Sequence, residues 1–451
     1  MAIKIPVSKS TPSHIAEAKV FSNSGNQAVR LERGVFSLTY YESILQDTIQ
    51  ASFVFADTGT TVNGGKNAVD GVPITGSEEF HLEFTDNNGN TLEFKEDSAL
   101  FVNDVTPLLN ETTKSLTQLH LVSKEYILNE KVRINSRMDG SISDHVRQIL
   151  TKDKYLATTK EVDIEETVGE INETPKNKKP FYIMNELSRK GVSATNQKLG
   201  KSAGYFFFET ADGFKFKSID GLLAQDKKLS VLYTETTQRH KTLPQYDVKA
   251  LDYNVNNLNN VQKKLAVGAY TSRLLTFNPF TFEFNVHNPQ AFAFEQEDAY
   301  EMGGKNLPVL NKEFNTGDVS GKSKGDFSVT SLKIVGVGGL QTGNTESQLS
   351  KSKEIDFSLD QILNQSFMRY NNLFCSQVTI TIPGDFSLHA GDVIFVDAPL
   401  LSRSEDNPEV NPQSGGLYII ADLAHYLTTN ETFTRLNLVR DSFGRKGNPS
   451  S

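Results

Sequence analysis

One cysteine, no tryptophan and five methionines in 451 residues set the first limits on this chain. A lone Cys375 excludes an intrachain disulfide and any multi-thiolate zinc site, so stability has to come from packing. Its neighbours Phe374 and Val378 and the lack of a nearby histidine make it a small buried hydrophobe rather than a reactive thiol. Without tryptophan, aromatic packing falls to 29 Phe and 14 Tyr. No apolar run approaches the roughly eighteen residues needed to cross a bilayer. Met1 to Val20 has scattered lysines but no apolar core or cleavage pattern, so the chain is expected to be made in a cytoplasm and to stay soluble until assembled.

Positive charge is also scarce. The formal charge is −9, which argues against a surface built to grip phosphate, because nucleic-acid affinity comes from Lys and Arg displacing counterions. Hydrophobic residues make up 37% and charged residues 22%, a globular balance, and the length calls for three or four folding units.

Catalytic and ligand-binding signatures are missing as well. The eight histidines, His14, His81, His120, His145, His240, His287, His389 and His425, are dispersed and pair with no second ligand at helical spacing. His81 and His120 fall in strand-like runs as satisfied sheet residues, and His145 is expected on the solvent side of its helix. There is no nucleophile elbow, P-loop or dinucleotide fingerprint; Gly336-Val337-Gly338-Gly339 lacks the lysine and helix that phosphate binding needs and is expected to be a turn or bulge. Glu165-Glu166 is expected to belong to a solvated surface rather than to an acid/base pair. No catalytic, metal or cofactor-binding residue is assigned, and no cofactor is expected.

What is present is β pattern at both ends. Gly34 to Tyr40, Thr48 to Phe55, Phe80 to Phe84, Thr91 to Phe94, Ala99 to Val105 and Ser115 to Val122 read as strands, with Asp86-Asn87-Asn88-Gly89-Asn90 as a turn and Asp57 to Gly76 as a long loop. Between Met138 and Leu223 the period changes. Ile142, Val146, Ile149 and Leu150 share a helical face that Ser141 or Ser143 caps, and after a polar stretch from Thr158 a second helix runs from Lys179 to Lys190 with Pro180 in its first turn. From Val231 to Phe294 the pattern returns to β. Phe280, Phe282 and Phe284 alternate, as do Phe292 and Phe294; these five are either a buried sheet face or an exposed patch that binds a neighbouring subunit, and they are the candidate subunit interface. Gly303 to Gly325 and Gln341 to Lys353 read as loops. A helix from near Ser358 then feeds Val378 to Gly384, Leu388 to Val396, Gly416 to Asp422 and Thr432 to Arg440, a small β-barrel in pattern.

The order of these elements carries a resemblance. Asn371-Asn372-Leu373-Phe374, then Thr379 to Gly384, Leu388 with Gly391-Asp392 and Ile394, Gly416-Leu417-Tyr418-Ile419-Ile420 and Leu438-Val439-Arg440-Asp441 resemble the carboxyl-terminal part of the central baseplate hub proteins of contractile-tailed bacteriophages, which are related to the hub portion of type VI secretion spike proteins. Tyr41 to Leu45 followed by Thr48 to Asp57 resembles that family's opening hairpin, and Gly204 to Phe216 after the second helix resembles its α/β insertion.

The resemblance implies a mainly β, multidomain fold: two separate tube-like β-barrels plus inserted mixed α/β domains. The expected divisions are 1–130 (first barrel), 131–235 (α/β insertion), 236–357 (start of the second barrel, with insertion and linkers) and 358–451 (helix and strands completing it). It further implies a non-enzymatic structural virion protein of the tail baseplate. In that role a homotrimer adapts a three-fold spike to the six-fold tail tube and leaves a channel for DNA ejection. The implied partners are the tube protein or tube initiator, baseplate wedge proteins and DNA only in transit; no octapeptide repeat is present, so the spike is expected to be a separate protein. Gly391 and Asp392 are assigned a structural turn into a barrel strand. The competing expectations are a carbohydrate- or cell-surface-binding β protein of a virus or bacterium and, behind it, a polysaccharide-degrading enzyme.

Overall fold

The computed structural model describes residues 10–23, 28–59, 68–194, 203–234, 245–257, 260–268, 272–279, 282–287, 302–303, 329–334, 346, 359–400 and 410–449. Phe280, Phe292, Phe294, Gly336 to Gly339 and most of the two glycine- or glutamine-rich stretches lie outside them.

The amino-terminal unit comprises β1 (His14–Phe21), β2 (Ala28–Arg30), β3 (Val35–Ser43), β4 (Gln50–Asp57), the short helix α1 (Ala68–Gly71), β5 (Glu79–Thr85), β6 (Thr91–Phe94), β7 (Leu100–Asn110) and β8 (Ser115–Ser123). Alternation dictates these strands: in β5, Phe80, Leu82 and Phe84 are buried while the residues between them are half-exposed. The turn before β6 forms as its residues require. Asp86 accepts from the backbone N–H groups of Asn88 (2.8 Å) and Asn90 (2.9 Å), and Gly89 takes φ 88°. The expected loop after β4 carries α1 and contributes Ala68, Val72 and Ile74 to the core.

The insertion contains α2 (Lys124–Lys131), β9 (Met138–Ser141), α3 (Ile142–Thr151), β10 (Val162–Ile164), β11 (Glu170–Glu173), α4 (Pro180–Ser188), β12 (Tyr205–Thr210), β13 (Gly213–Ser218) and α5 (Ile219–Leu223). Ser141 caps α3 by accepting from the Asp144 N–H, and Pro180 opens α4 where its missing N–H costs nothing. Val146, Leu150, Met184, Phe207, Phe214 and Phe216 meet in a core of their own. One expectation fails here. His145 is buried, not solvent-facing, and burial pushes its pKa down; α3 is covered on that side by the chain around Asp139. The polar stretch after Thr158 supplies two strands, β10 and β11, which are too short and too polar to show a period.

The carboxyl-terminal part holds β14 (Lys227–Leu232), β15 (Val248–Lys249), β16 (Asp252–Asn257), α6 (Val261–Ala266), β17 (Ser272–Asn278), β18 (Glu283–His287), β19 (Val329–Ile334), α7 (Leu359–Leu373), β20 (Ser376–Pro383), β21 (Val393–Asp397), β22 (Gly416–Thr428) and β23 (Thr432–Arg440). Cys375 is fully buried at the end of α7.

The fold is mainly β and multidomain, with the α/β insertion. The two β units, however, are not separate bodies. β22 pairs with β23 on one edge and with β3 on the other, with seven residue pairs from Asp422↔Ser43 to Thr428↔Ser37, so one hydrogen-bonded sheet runs from unit to unit. One apolar cluster spans both, taking Tyr40, Phe53, Phe84 and Leu119 from the first and Ile380, Phe386, Leu423 and Leu436 from the second. Sequence pattern marks each strand but is blind to which edge pairs with which across nearly 400 residues. Phe84 and Phe386 meet edge-to-face at 5.0 Å across the boundary.

Phe386→Ala is therefore expected to cost about 3–5 kcal/mol and to lower the denaturation midpoint of both units together. Urea unfolding followed by fluorescence from tyrosines of each unit checks this; separate transitions, only one of them shifted, would contradict a shared core.

Candidate assembly interface

Seven antiparallel pairings string eight strands into one run, in the order β16-β20-β23-β22-β3-β4-β8-β7. Residues opposite each other in register share a face, which gives the run two faces of opposite character. One row on the inner face reads Ile382, Thr434, His425, Tyr40, Ala51, Leu121 and Val102, all buried in the common core. The opposite face reads Asn254, Thr379, Asn437, Asp422 and Ser43 in one row and Phe433, Tyr426, Thr39, Ser52, His120 and Asp104 in another. It is mainly polar, with hydroxyls, amides and the carboxylates of Asp104 and Asp422, interrupted by side chains such as Phe433 and His120. The eight strands contain no lysine and two arginines, Arg435 and the core-facing Arg440, although Lys and Arg number 46 in the chain.

Where the two units meet, this polar face holds a depression of about 550 Å³ lined by Tyr41, Gln50, Tyr426, Arg435 and Asn437. Ser43 donates to Asp422 at 2.5 Å, Asn437 donates to the other Asp422 oxygen at 3.2 Å, and Tyr41 and Tyr426 stand edge to face 6.4 Å apart.

Behind the same junction lies a buried carboxylate. Glu42 of β3 accepts from the Tyr40 hydroxyl (2.7 Å), the Ala211 N–H (2.8 Å), the Ala390 N–H (2.8 Å) and His389 Nδ1 (3.0 Å), so one side chain joins both β units and the β12–β13 turn of the insertion. Burial pushes the Glu42 carboxyl up, but the His389 imidazolium and these donors outweigh it and hold the pKa at about 2. Burial likewise depresses His389, and Glu42 reverses that to a raised pKa. Beside them His425, stacked on Tyr40 and edge-on to Phe386, makes one ring hydrogen bond, to Thr434 at 2.9 Å, and burial drives its pKa down to about 3. A second anchor uses Glu209, which accepts from the Ile49 N–H (3.1 Å), Ser123 (2.6 Å) and Lys160 (2.6 Å); Lys160 also reaches Glu125 at 2.9 Å.

The turn assigned to Gly391 and Asp392 packs against this junction. Gly391 has φ 88°, and a Cβ there would lie 2.9 Å from the Phe208 ring, so both torsion and space require glycine. Asp392 accepts from the His389 N–H at 2.7 Å and pairs with Lys228 at 2.8 Å. Of the candidate interface phenylalanines, Phe282 sits in a turn at φ 55° and Phe284 in β18, both exposed, which overturns the buried-face alternative for them. The Glu165-Glu166 pair is committed to structure: Glu165 is half-buried and accepts from the N–H and hydroxyl of Ser218 (each 2.8 Å), while Glu166 takes Ser143 and Arg147 (each 2.6 Å). Glu42 and Glu209 escaped the sequence reading, because a single Glu at the end of a strand gives no sign that distant backbone will converge on it.

The fold is one that tail proteins of known structure share. A tail protein from Neisseria meningitidis MC58 has the same fold, with a TM-score of 0.50 at 10% identity over 94% of this chain and 96% of that one. So does the 43 kDa tail protein of prophage MuSo2 from Shewanella oneidensis, with a TM-score of 0.50 at 9% identity, covering 95% and 98%. In sequence, the chain is 20% identical over 443 residues, 92% of each, to the "Probable baseplate hub protein gp334" of Vibrio phage KVP40. No family model matches. The chain thus resembles phage baseplate hub proteins along nearly its whole length, as its order of motifs implied.

The three junction groups predict opposing pH effects. Glu42, with its lowered pKa, adds stability that is present above about pH 4.5 and is lost as pH falls toward 2. His389, raised, adds stability that is full below about pH 6.5 and is lost as pH rises through its folded value. His425 stays neutral in the fold while the unfolded chain takes up a proton, so stability drops as pH falls from about 6.5 toward 3. His425→Gln should remove on the order of 3 kcal/mol of the loss between pH 6.5 and 4, read by urea midpoints at each pH; an unchanged slope would show that His425 is not the acid-sensitive group.

Proposed function

We propose that this chain is a structural protein of a phage tail baseplate, the central hub, and that three copies close into a ring on the axis of the virion tail. The observation that carries the reading is the eight-stranded run with two open edges. Among the described residues β16 pairs with β20 alone, and β7 pairs with β5 only at Leu100 and Phe101, which leaves its outer edge unpaired from Asn103 onward. Open edges of this length invite another chain. Because eight is even, the β7 edge of one copy and the β16 edge of the next run antiparallel, so three copies join edge to edge with no change of pattern.

Each chain then supplies two four-stranded arcs, β16-β20-β23-β22 and β3-β4-β8-β7, and the ring has six. The pseudo-six-fold collar is thus built from arcs of one sheet rather than from free-standing barrels. It matches a six-fold tube on one side and a three-fold spike, a separate protein, on the other; wedge proteins take the periphery. The core face points outward from the axis and the mainly polar face inward. That polar face carries Asp104, Asp252 and Asp422 against Arg435, and its eight strands hold no lysine, so DNA in transit is not held. The work is mechanical, with no bond made or broken. Carbohydrate binding and polysaccharide hydrolysis find less support, since the polar depression at the junction lacks a pair of unengaged carboxylates and its Asp422 is already bonded to Ser43 and Asn437.

Native mass measurement should give a species near three times 50.0 kDa; a monomer at high concentration would end the ring proposal. Duplex DNA at low salt should pass the protein without retardation in a gel, whereas salt-sensitive retention would contradict the non-adhesive inner face.

A further inference from the structure

The three-stranded sheet β18-β17-β19 stands outside the eight-stranded run and has two unlike faces. Register puts Leu274 and Thr276 on one face, where both are buried toward α7. It puts Leu275, Phe277, Phe284, Val286, Leu332 and Ile334 on the other. That second face is wholly apolar at these six positions, yet Phe284 is 55% exposed, Val286 49%, Leu332 67% and Ile334 54%. A contiguous apolar patch of this kind on a soluble chain marks a contact surface.

We propose that this face docks against a second copy of the chain; the inference rests on the ring reading and names a surface that ring closure by strand edges alone does not use. Continuity supports that occupant. β16, the open edge, leads directly through α6 into β17, and the exposed large hydrophobics follow the same path, with Leu251, Val255, Val261 and Val267 preceding the sheet. Nine of the chain's sixteen such described residues fall between 251 and 334. The neighbour that pairs with β16 brings β7, whose Leu108, at a bulge in the strand, is also exposed. Backbone pairing fixes register, and the apolar sheet that follows that edge along the chain supplies the water exclusion that a stable interface needs.

The test is the native mass of the full chain carrying Phe284→Asp and Leu332→Asp, alongside the unaltered protein. Loss of the trimer with circular dichroism unchanged is the expected result. A trimer that persists in the double variant overturns this inference and leaves the ring intact, as it would if residues of the same chain cover the face. A monomeric unaltered protein overturns the ring reading itself. If the double variant does not fold, Phe284→Ser is expected to raise the trimer dissociation concentration at least tenfold, and an unchanged value overturns the proposal.

Discussion

The fold depends on satisfying one carboxylate in a dry interior. Glu42 is fully buried and takes four donors, one from its own strand, one from the insertion and two from the chain just before β21. A buried charge without such partners costs several kcal/mol, so β3, the β12–β13 turn and the Gly391 turn have to arrive together. The β22–β3 pairing fixes them from the sheet side. Between them these contacts turn three structural units into one rigid support for the polar face.

That rigidity bears on the proposed role. A collar at the end of a contracting machine transmits force through backbone hydrogen bonds and packed cores, and the eight-stranded run provides both without a hinge at the boundary between units. The Glu209 anchor has the same logic on the insertion side, with Lys160 held between two glutamates. Buried ion pairs of this kind add little net stability over apolar packing. Lys160 ties Glu125 to Glu209, which also accepts from Ile49 and Ser123, so the insertion is fixed at one position against the amino-terminal unit.

Local features were legible in the residues and long-range ones were not. Alternation in Phe80 to Phe84 and Val378 to Ile382, the Asp86 to Asn90 turn, the Ser141 cap and Pro180 at the start of α4 each follow from chemistry within a few positions, and the structure has them all. The fold class followed because the order of such signals is itself informative. The joining of the two β units was missed because strand pairing between Ser43 and Asp422 leaves no periodic trace in either segment. His145 was placed on the wrong side because helical period gives a face but not what covers it. Phe282 was read as one of an alternating strand series, where a left-handed torsion instead turns the chain.

The β22–β3 pairing also sets an order of events during synthesis. When β3 leaves the ribosome, the strand it must pair with is still some 380 residues from being made, since Ser43 waits for Asp422. Until then the nascent amino-terminal unit carries a bare edge and an unneutralised Glu42, both invitations to premature association. Such high contact order slows folding, and it has a useful side: the arc β16-β20-β23-β22, which the proposed ring needs, is not finished until the polypeptide is nearly complete.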